Sequence, residues 1–275
     1  MNELSSASNE PFLVGLARAF GGAIVFSLPL FMTMEMWWLG FHIDPLRLLL
    51  LLLLAIPLLV GLSHFIGFEP TFEWKDDVLD AFVAYGVGFM AAAVVLLLFS
   101  VITWDMSARE IVGKIALQAV PGSIGALLAQ SQFGGQARGR DQKRRDSYAG
   151  ETFFMAAGAL FLSLNVAPTE EMVLISYMMT PSHALAACVL SLALMHVFVY
   201  SVGFHGQSAR REGSHPVGLF LRYSVVGYAI CLVISFYMLW TFGRTGGMAI
   251  DAVAMATVVL SFPAALGAAA ARLIL

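Results

Sequence analysis

Two glutamates stand in apolar sequence, each inside the same short pattern: Thr33-x-Glu35-Met36 and Thr169-x-Glu171-Met172. A carboxylate at the middle of a membrane helix costs about 2.5 to 3.5 kcal/mol on insertion scales, so such residues face a partner, a cavity or the headgroup zone. Glu170 adds a third acid beside Glu171. Thr33, Thr169, His42 and His183 fall at the same depth, with Asp44 nearby, and offer oxygen and imidazole groups to a shared cation or proton. The same residues also fit a simpler role, in which interfacial carboxylates reach water and headgroups. The two readings stand level on the residues alone.

The elements that carry these residues are membrane spans. Of 275 residues, 59% are hydrophobic and only 12% charged, half the charged share of an average soluble domain. A mean hydropathy of +0.83 points the same way and excludes both a soluble globular enzyme and a disordered chain. The net charge of −3 excludes a basic field for nucleic acid. Cys188 and Cys231 lie far apart in apolar runs, which suggests neither a disulfide framework nor a zinc site. A span needs roughly 20 apolar residues. Eight candidates follow, at 14–40, 45–68, 78–102, 109–131, 151–167 (extending as far as 179), 182–204, 217–242 and 248–274. The fourth is the weakest, because Arg109, Glu110 and Lys114 occupy its start and Pro121-Gly122 interrupts it. A helix lying on the membrane surface is its alternative. The opening residues lack the basic region of a signal peptide, so the first helix is expected to stay in the mature protein.

Lys and Arg set the expected orientation. With a cytoplasmic N-terminus, eleven of the fifteen fall on the inner side and Arg47, Arg109 and Arg244 outside, with Lys114 unassigned. Both termini are therefore expected in the cytoplasm, as is the basic stretch R-G-R-D-Q-K-R-R at Arg138–Arg145. That stretch reads as a topology-setting linker rather than a lipid or nucleic-acid site.

A shift of 136 positions aligns Phe20–Phe68 with Ala156–Phe204 without a gap, with identities at 13 of 49 positions. Leucine matches are cheap in such sequence. Thr-x-Glu-Met followed nine residues later by Pro, at Pro45 and Pro181, is not. Tyr85 and Gly88 echo Tyr223 and Gly227, and Pro121, Gly125, Ala126 and Ala129 echo Pro263, Gly267, Ala268 and Ala271. The expected fold is all-α and polytopic: two tandem parallel four-helix repeats over 12–132 and 151–275, joined by a basic linker over 133–150, and related by a pseudo-two-fold along the membrane normal. Glu35 and Glu171 would then approach that axis near the outer face. Asn165, Pro168 and the Thr169-Glu170-Glu171 cluster predict a break in the fifth segment, with Thr169 as N-cap. Pro29 predicts a kink in the first.

Weaker features are read blandly. His64 and His196 read as packed, hydrogen-bonded histidines, Glu110 and Lys114 as an i,i+4 pair, and Asp80 and Asp251 as first-turn acids. The run Gly267–Ala271 reads as a small-residue packing face. No zinc-protease, phosphate-loop, nucleophile-elbow, haem or flavin signature occurs, so no cofactor is expected.

Over A-R-A-F-G-G-A-I-V-F-S-L-P-L-F-M-T-M-E-M-W-W (Ala17–Trp38), and over essentially its full length, the chain resembles an uncharacterised family of predicted bacterial integral-membrane proteins. That resemblance implies a multi-pass protein of the bacterial inner membrane and no particular activity. Arg18, Ala19, Phe20 and Glu35 are also similar to the first helix of the potassium-channel family of lysosomes and bacteria. Gly21-Gly22 and Ala156-Ala157-Gly158 replace that family's pore motif, so channel function does not carry over. The leading expectation is permeation of a cation or small solute through a site at the repeat interface. The bilayer, a cation or proton, and a second copy of the chain are the expected partners, and nucleic acid is not. A non-transporting scaffold or sensor subunit is the rival, and a lipid-modifying membrane enzyme stands behind it.

Overall fold

A computed structural model describes residues 3–66, 74–133, 147–200, 218 and 220–274. Every element among them is helical: α1 (Glu3–Phe31), α2 (Met34–His42), α3 (Pro45–Ile66), α4 (Trp74–Leu98), α5 (Ala108–Phe133), α6 (Tyr148–Val166), α7 (Glu170–Met178), α8 (Pro181–Tyr200), α9 (Val226–Thr241, entered through a π-helical turn at Phe220–Val225) and α10 (Ile250–Ile274). The apolar runs dictate this outcome. Hydrocarbon offers no hydrogen bonds, and a helix pairs its backbone groups within itself. Among the described residues eight helices are long and apolar enough to cross a membrane. The basic stretch Arg138–Arg145, Arg210 and Arg211, and the repeat mates Gly67, Phe68, Gly203 and Phe204 lie outside the described residues.

Packing divides the chain into two units, Met1–Arg140 and Asp141–Leu275. In the first unit α5 is the central helix and packs against α1, α2, α3 and α4. In the second, α10 packs against α6, α7, α8 and α9. The fourth candidate span, which had a surface-helix alternative, is thus the most enclosed of the eight, with 78% of its apolar window buried. A surface helix would leave one whole face to solvent and lipid.

Close helix approach explains the glycines. A Cβ on Gly22 would fall 2.8 Å from the Gly125 carbonyl oxygen, and one on Gly125 would fall 2.7 Å from Phe26 Cβ. The second unit has the same crossing, where a Cβ on Gly158 would meet the Gly267 carbonyl carbon at 2.8 Å. Without a hydrophobic drive between helices in lipid, such small-residue crossings supply the packing that holds spans together. The turn joining α9 to α10 needs glycine for a different reason: Gly243 and Gly247 sit at φ of 72° and 74°, the left-handed region that a side chain disfavours.

The first span departs from expectation. The apolar run 14–40 suggested one helix kinked at Pro29, but α1 ends at Phe31 and Thr33 is extended, with φ −93° and ψ 116°. Pro29 lacks an amide proton, which leaves the Val25 carbonyl without its usual helical donor, and the helix then tightens to an i−3 bond at Thr33. Met32 N–H bonds Leu28 O at 3.2 Å, and Thr33 N–H bonds Leu30 O at 3.2 Å. The fifth span breaks where the sequence placed the break: α6 ends at Val166, and α7 begins at Glu170 after an extended Thr169.

A candidate site at two helix interruptions

Each interruption is followed by a nine-residue helix that opens on the acids. Glu35 occupies the first turn of α2, and Glu170 with Glu171 the first turn of α7. Carboxylates there complement the partial positive charge of a helix N-terminus. The buried face of α2 is Met36 and Gly40, and that of α7 is Met172 and Ser176, the positions that the 136-residue shift pairs. Gly40 lets α2 lie on the start of α5, since a Cβ there would stand 2.6 Å from Lys114 Cα.

The two threonines take the N-cap position without the N-cap bond. Thr33 Oγ1 donates backward to Pro29 O at 2.6 Å, and Thr169 Oγ1 to Val166 O at 2.9 Å. Sequence reasoning expected Thr169 to accept from the helix it precedes. Instead its hydroxyl closes the helix it follows, where the C-terminal carbonyls lack intrahelical donors. Two further donors finish this task. Trp37 Nε1 donates to Phe31 O at 2.8 Å, and Arg244 Nη2 to Pro168 O. Arg244 thereby brings a cation to the carbonyl end of α6, where a positive charge is favourable.

The histidines are also engaged locally. His42 Nδ1 lies 3.2 Å from Trp38 O and stacks on the Trp38 ring at 4.9 Å between centroids. His183 Nδ1 lies 2.8 Å from Thr180 Oγ1. Asp44 caps α3, accepting from the Leu46 and Arg47 amides at 2.9 and 3.1 Å. Glu35 is half-buried, and Glu170 and Glu171 are exposed. Among the described residues no hydrogen bond or ion pair joins these carboxylates to Thr33, Thr169, His42 or His183. No three His, Cys, Asp or Glu side chains among the described residues converge as a metal site would require.

Beside α2, Lys114 is buried at 6% exposure. Its Nζ lies 2.8 Å from Glu110 Oε1 and donates to Val101 O at 3.1 Å, which ties the α4–α5 loop to α5. The i,i+4 spacing was legible; the burial was not. In that loop the Thr103 hydroxyl, bonding Asp105, holds its carboxyl below the ordinary range. At the other end of the first unit His64 Nδ1 meets Asp77 Oδ2 at 2.7 Å, and Ser63 Oγ reaches Asp80 Oδ2 at 3.5 Å. His64 is thus the hydrogen-bonded histidine expected, as is His196, 3.2 Å from Ser224 Oγ. Asp251 lies in the first turn of α10, whereas Asp80 lies beyond that of α4, which Asp76 and Asp77 occupy. What sequence reasoning missed altogether is Gln118, fully buried in α5. Its signal was available: it is the one carboxamide between Lys114 and Pro121.

A family model described as "Putative integral membrane protein (DUF2391)" matches residues 15–275. The chain belongs to this family. The DUF2391 match takes in nearly all of both units and of the eight candidate spans, and establishes a multi-pass helical protein in contact with the bilayer. No curated protein and no solved structure matches the chain.

Proposed function

We propose that this DUF2391 protein lets a cation or small solute permeate the bacterial inner membrane, and that Glu35 and Glu171 serve that passage. One observation carries the reading. Both units interrupt the first span at an extended threonine and place a carboxylate in the first turn of the short helix that follows. Broken helices at membrane depth are tolerated where they line a cavity or are enclosed by protein, and transporters use half-helix ends in this way.

In this reading the chain is a tandem duplication of a four-span unit. Support comes from the shared element order, the central fourth span of each unit, and the Gly22–Gly125 and Gly158–Gly267 crossings, whose members the sequence repeat pairs. The positive-charge bias then argues for both termini and the 134–150 segment in the cytoplasm. Single cysteines introduced there should react with an impermeant maleimide only after the membrane is opened. Labelling of intact cells would reverse the topology.

The scaffold reading has one observation in its favour: Thr33, Thr169, His42 and His183 all bond within their own turns. Flux separates the two. Reconstituted protein should pass at least one ion or solute of a panel, and Glu35→Gln and Glu171→Gln should each reduce that flux with folding intact. Normal flux in both variants would remove the carboxylates from the pathway.

A further inference from the structure

Several hydroxyls and amides inside these spans return to a carbonyl three or four residues back. Ser123 bonds Ala119 O at 2.6 Å, Ser191 bonds Ala187 O at 2.8 Å, Thr257 bonds Val253 O at 2.8 Å and Asn165 bonds Phe161 O at 2.8 Å. Ser163, Ser235 and Thr241 do not, and neither does the pair Ser27 and Gln118. Both are 0% exposed, and Ser27 Oγ, Gln118 Nε2 and Gln118 Oε1 have no partner among the described residues. They belong to facing helices. Antiparallel α1 and α5 pair Gly22 with Gly125, and a Cβ on Gly122 would stand 3.7 Å from Ser27 Oγ. Carried one further turn along each helix, that register sets Gln118 near the level of Phe31 and the interruption after it.

We propose that Ser27 and Gln118 form a binding site for a small uncharged hydrogen-bonding molecule at the interruption of the first unit. The chemistry of the donor set decides the ligand class. The carboxamide offers two N–H donors and one carbonyl acceptor, and the serine hydroxyl both donates and accepts. A cation would satisfy the oxygens but leave the N–H groups unpaired, and an anion would do the reverse. The nearest charge on this face of α5 is Lys114, one turn outward, and Glu110 neutralises it at 2.8 Å. An uncharged molecule with both donors and acceptors completes the set. The second unit keeps the serine, since Ser163 is fully buried and likewise without a partner. The register that pairs Pro121 with Pro263 puts the apolar Leu260 in place of Gln118, so the site is confined to the first unit. This inference goes beyond the permeation reading, and its test reads binding rather than flux.

The probes are formamide and glycerol, with potassium chloride as the charged control. Thermal unfolding of the full chain in detergent is compared between wild type and Gln118→Leu, so that general solvent effects cancel. Formamide or glycerol should raise the wild-type midpoint relative to the variant, and the difference should saturate with concentration. Ser27→Ala should diminish it and Ser163→Ala should leave it unchanged, while potassium chloride should produce no difference. Trp37, bonded to Phe31 O at the same level, gives a second readout. Its emission should shift saturably with the same probe in a chain whose Trp38, Trp74, Trp104 and Trp240 are phenylalanine. Two results overturn the proposal. If neither probe separates the proteins and Gln118→Leu unfolds at a higher temperature, the amide is simply an unpaired buried group whose removal helps. If neither probe separates them and Gln118→Leu unfolds at a lower temperature, the site holds structural water only.

Discussion

Gly125→Val is expected to destabilise the first unit by about 3 kcal/mol, the upper end of the usual cost of overpacking. A Cβ at Gly125 would lie 2.7 Å from Phe26 Cβ and 2.9 Å from the Gly22 carbonyl oxygen. Neither atom is the far end of a flexible side chain, so relief requires α1 and α5 to separate. Separation would loosen the contacts along the whole central helix, because interiors are close-packed and transmit such shifts. The paired control is Gly86→Val in α4, where a Cβ meets nothing within 4 Å. Unfolding midpoints in mixed detergent should fall for Gly125→Val and stay near wild type for Gly86→Val. Gly267→Val should repeat the loss in the second unit, where its Cβ would approach the Gly158 carbonyl. Equal midpoints for Gly125→Val and Gly86→Val would mean that the helices do not cross this closely.

The second large effect concerns a charge. Lys114→Met should cost about 3 kcal/mol, the lower end of the 3 to 5 kcal/mol seen when one partner of a buried ion pair is removed. The lower end applies because the Glu110 side chain keeps 22% exposure and can reach water. The variant also leaves Val101 O without the ammonium that ties the α4–α5 loop down. Pairing it with Glu110→Gln should restore much of the loss, since the charge left unpaired is then gone. The double variant and Lys114→Met would be compared by unfolding midpoint. If the second substitution restored nothing, the cost would lie in the Val101 contact rather than in the ion pair.

The spans were legible because hydrophobic length alone specifies them. The interruption in the fifth span was legible too, because Pro168 and a polar cluster mark it in the sequence. The matching interruption at Thr33 was hidden. Its neighbours Met32, Met34 and Met36 are apolar, and only the alignment with Thr169 carried the information. Glu35 therefore begins α2 rather than ending α1. The role of Thr169 was legible by position but not by direction. Whether a hydroxyl at a helix junction bonds forward or back depends on the φ and ψ that the junction adopts, which residue type does not fix. Arg244 was read as an outer charge, and Trp37 joins it as a second donor at an interruption. Their bonds to Pro168 O and Phe31 O exist only because the chain breaks there. Gln118 was passed over because a single amide in a long span has no periodicity to announce it.

Flux through proteoliposomes, measured for wild type and for the Glu35→Gln/Glu171→Gln double variant across monovalent cations, protons and small neutral solutes, tests the central claim most directly. The account expects wild-type protein to pass at least one member of the panel above empty liposomes. It expects the double variant, with an unchanged unfolding midpoint, to lose most of that flux, and each single variant to lose part of it. Wild-type protein that passes nothing, or a double variant that matches it, would contradict the account and leave the duplicated interruption as a scaffold feature.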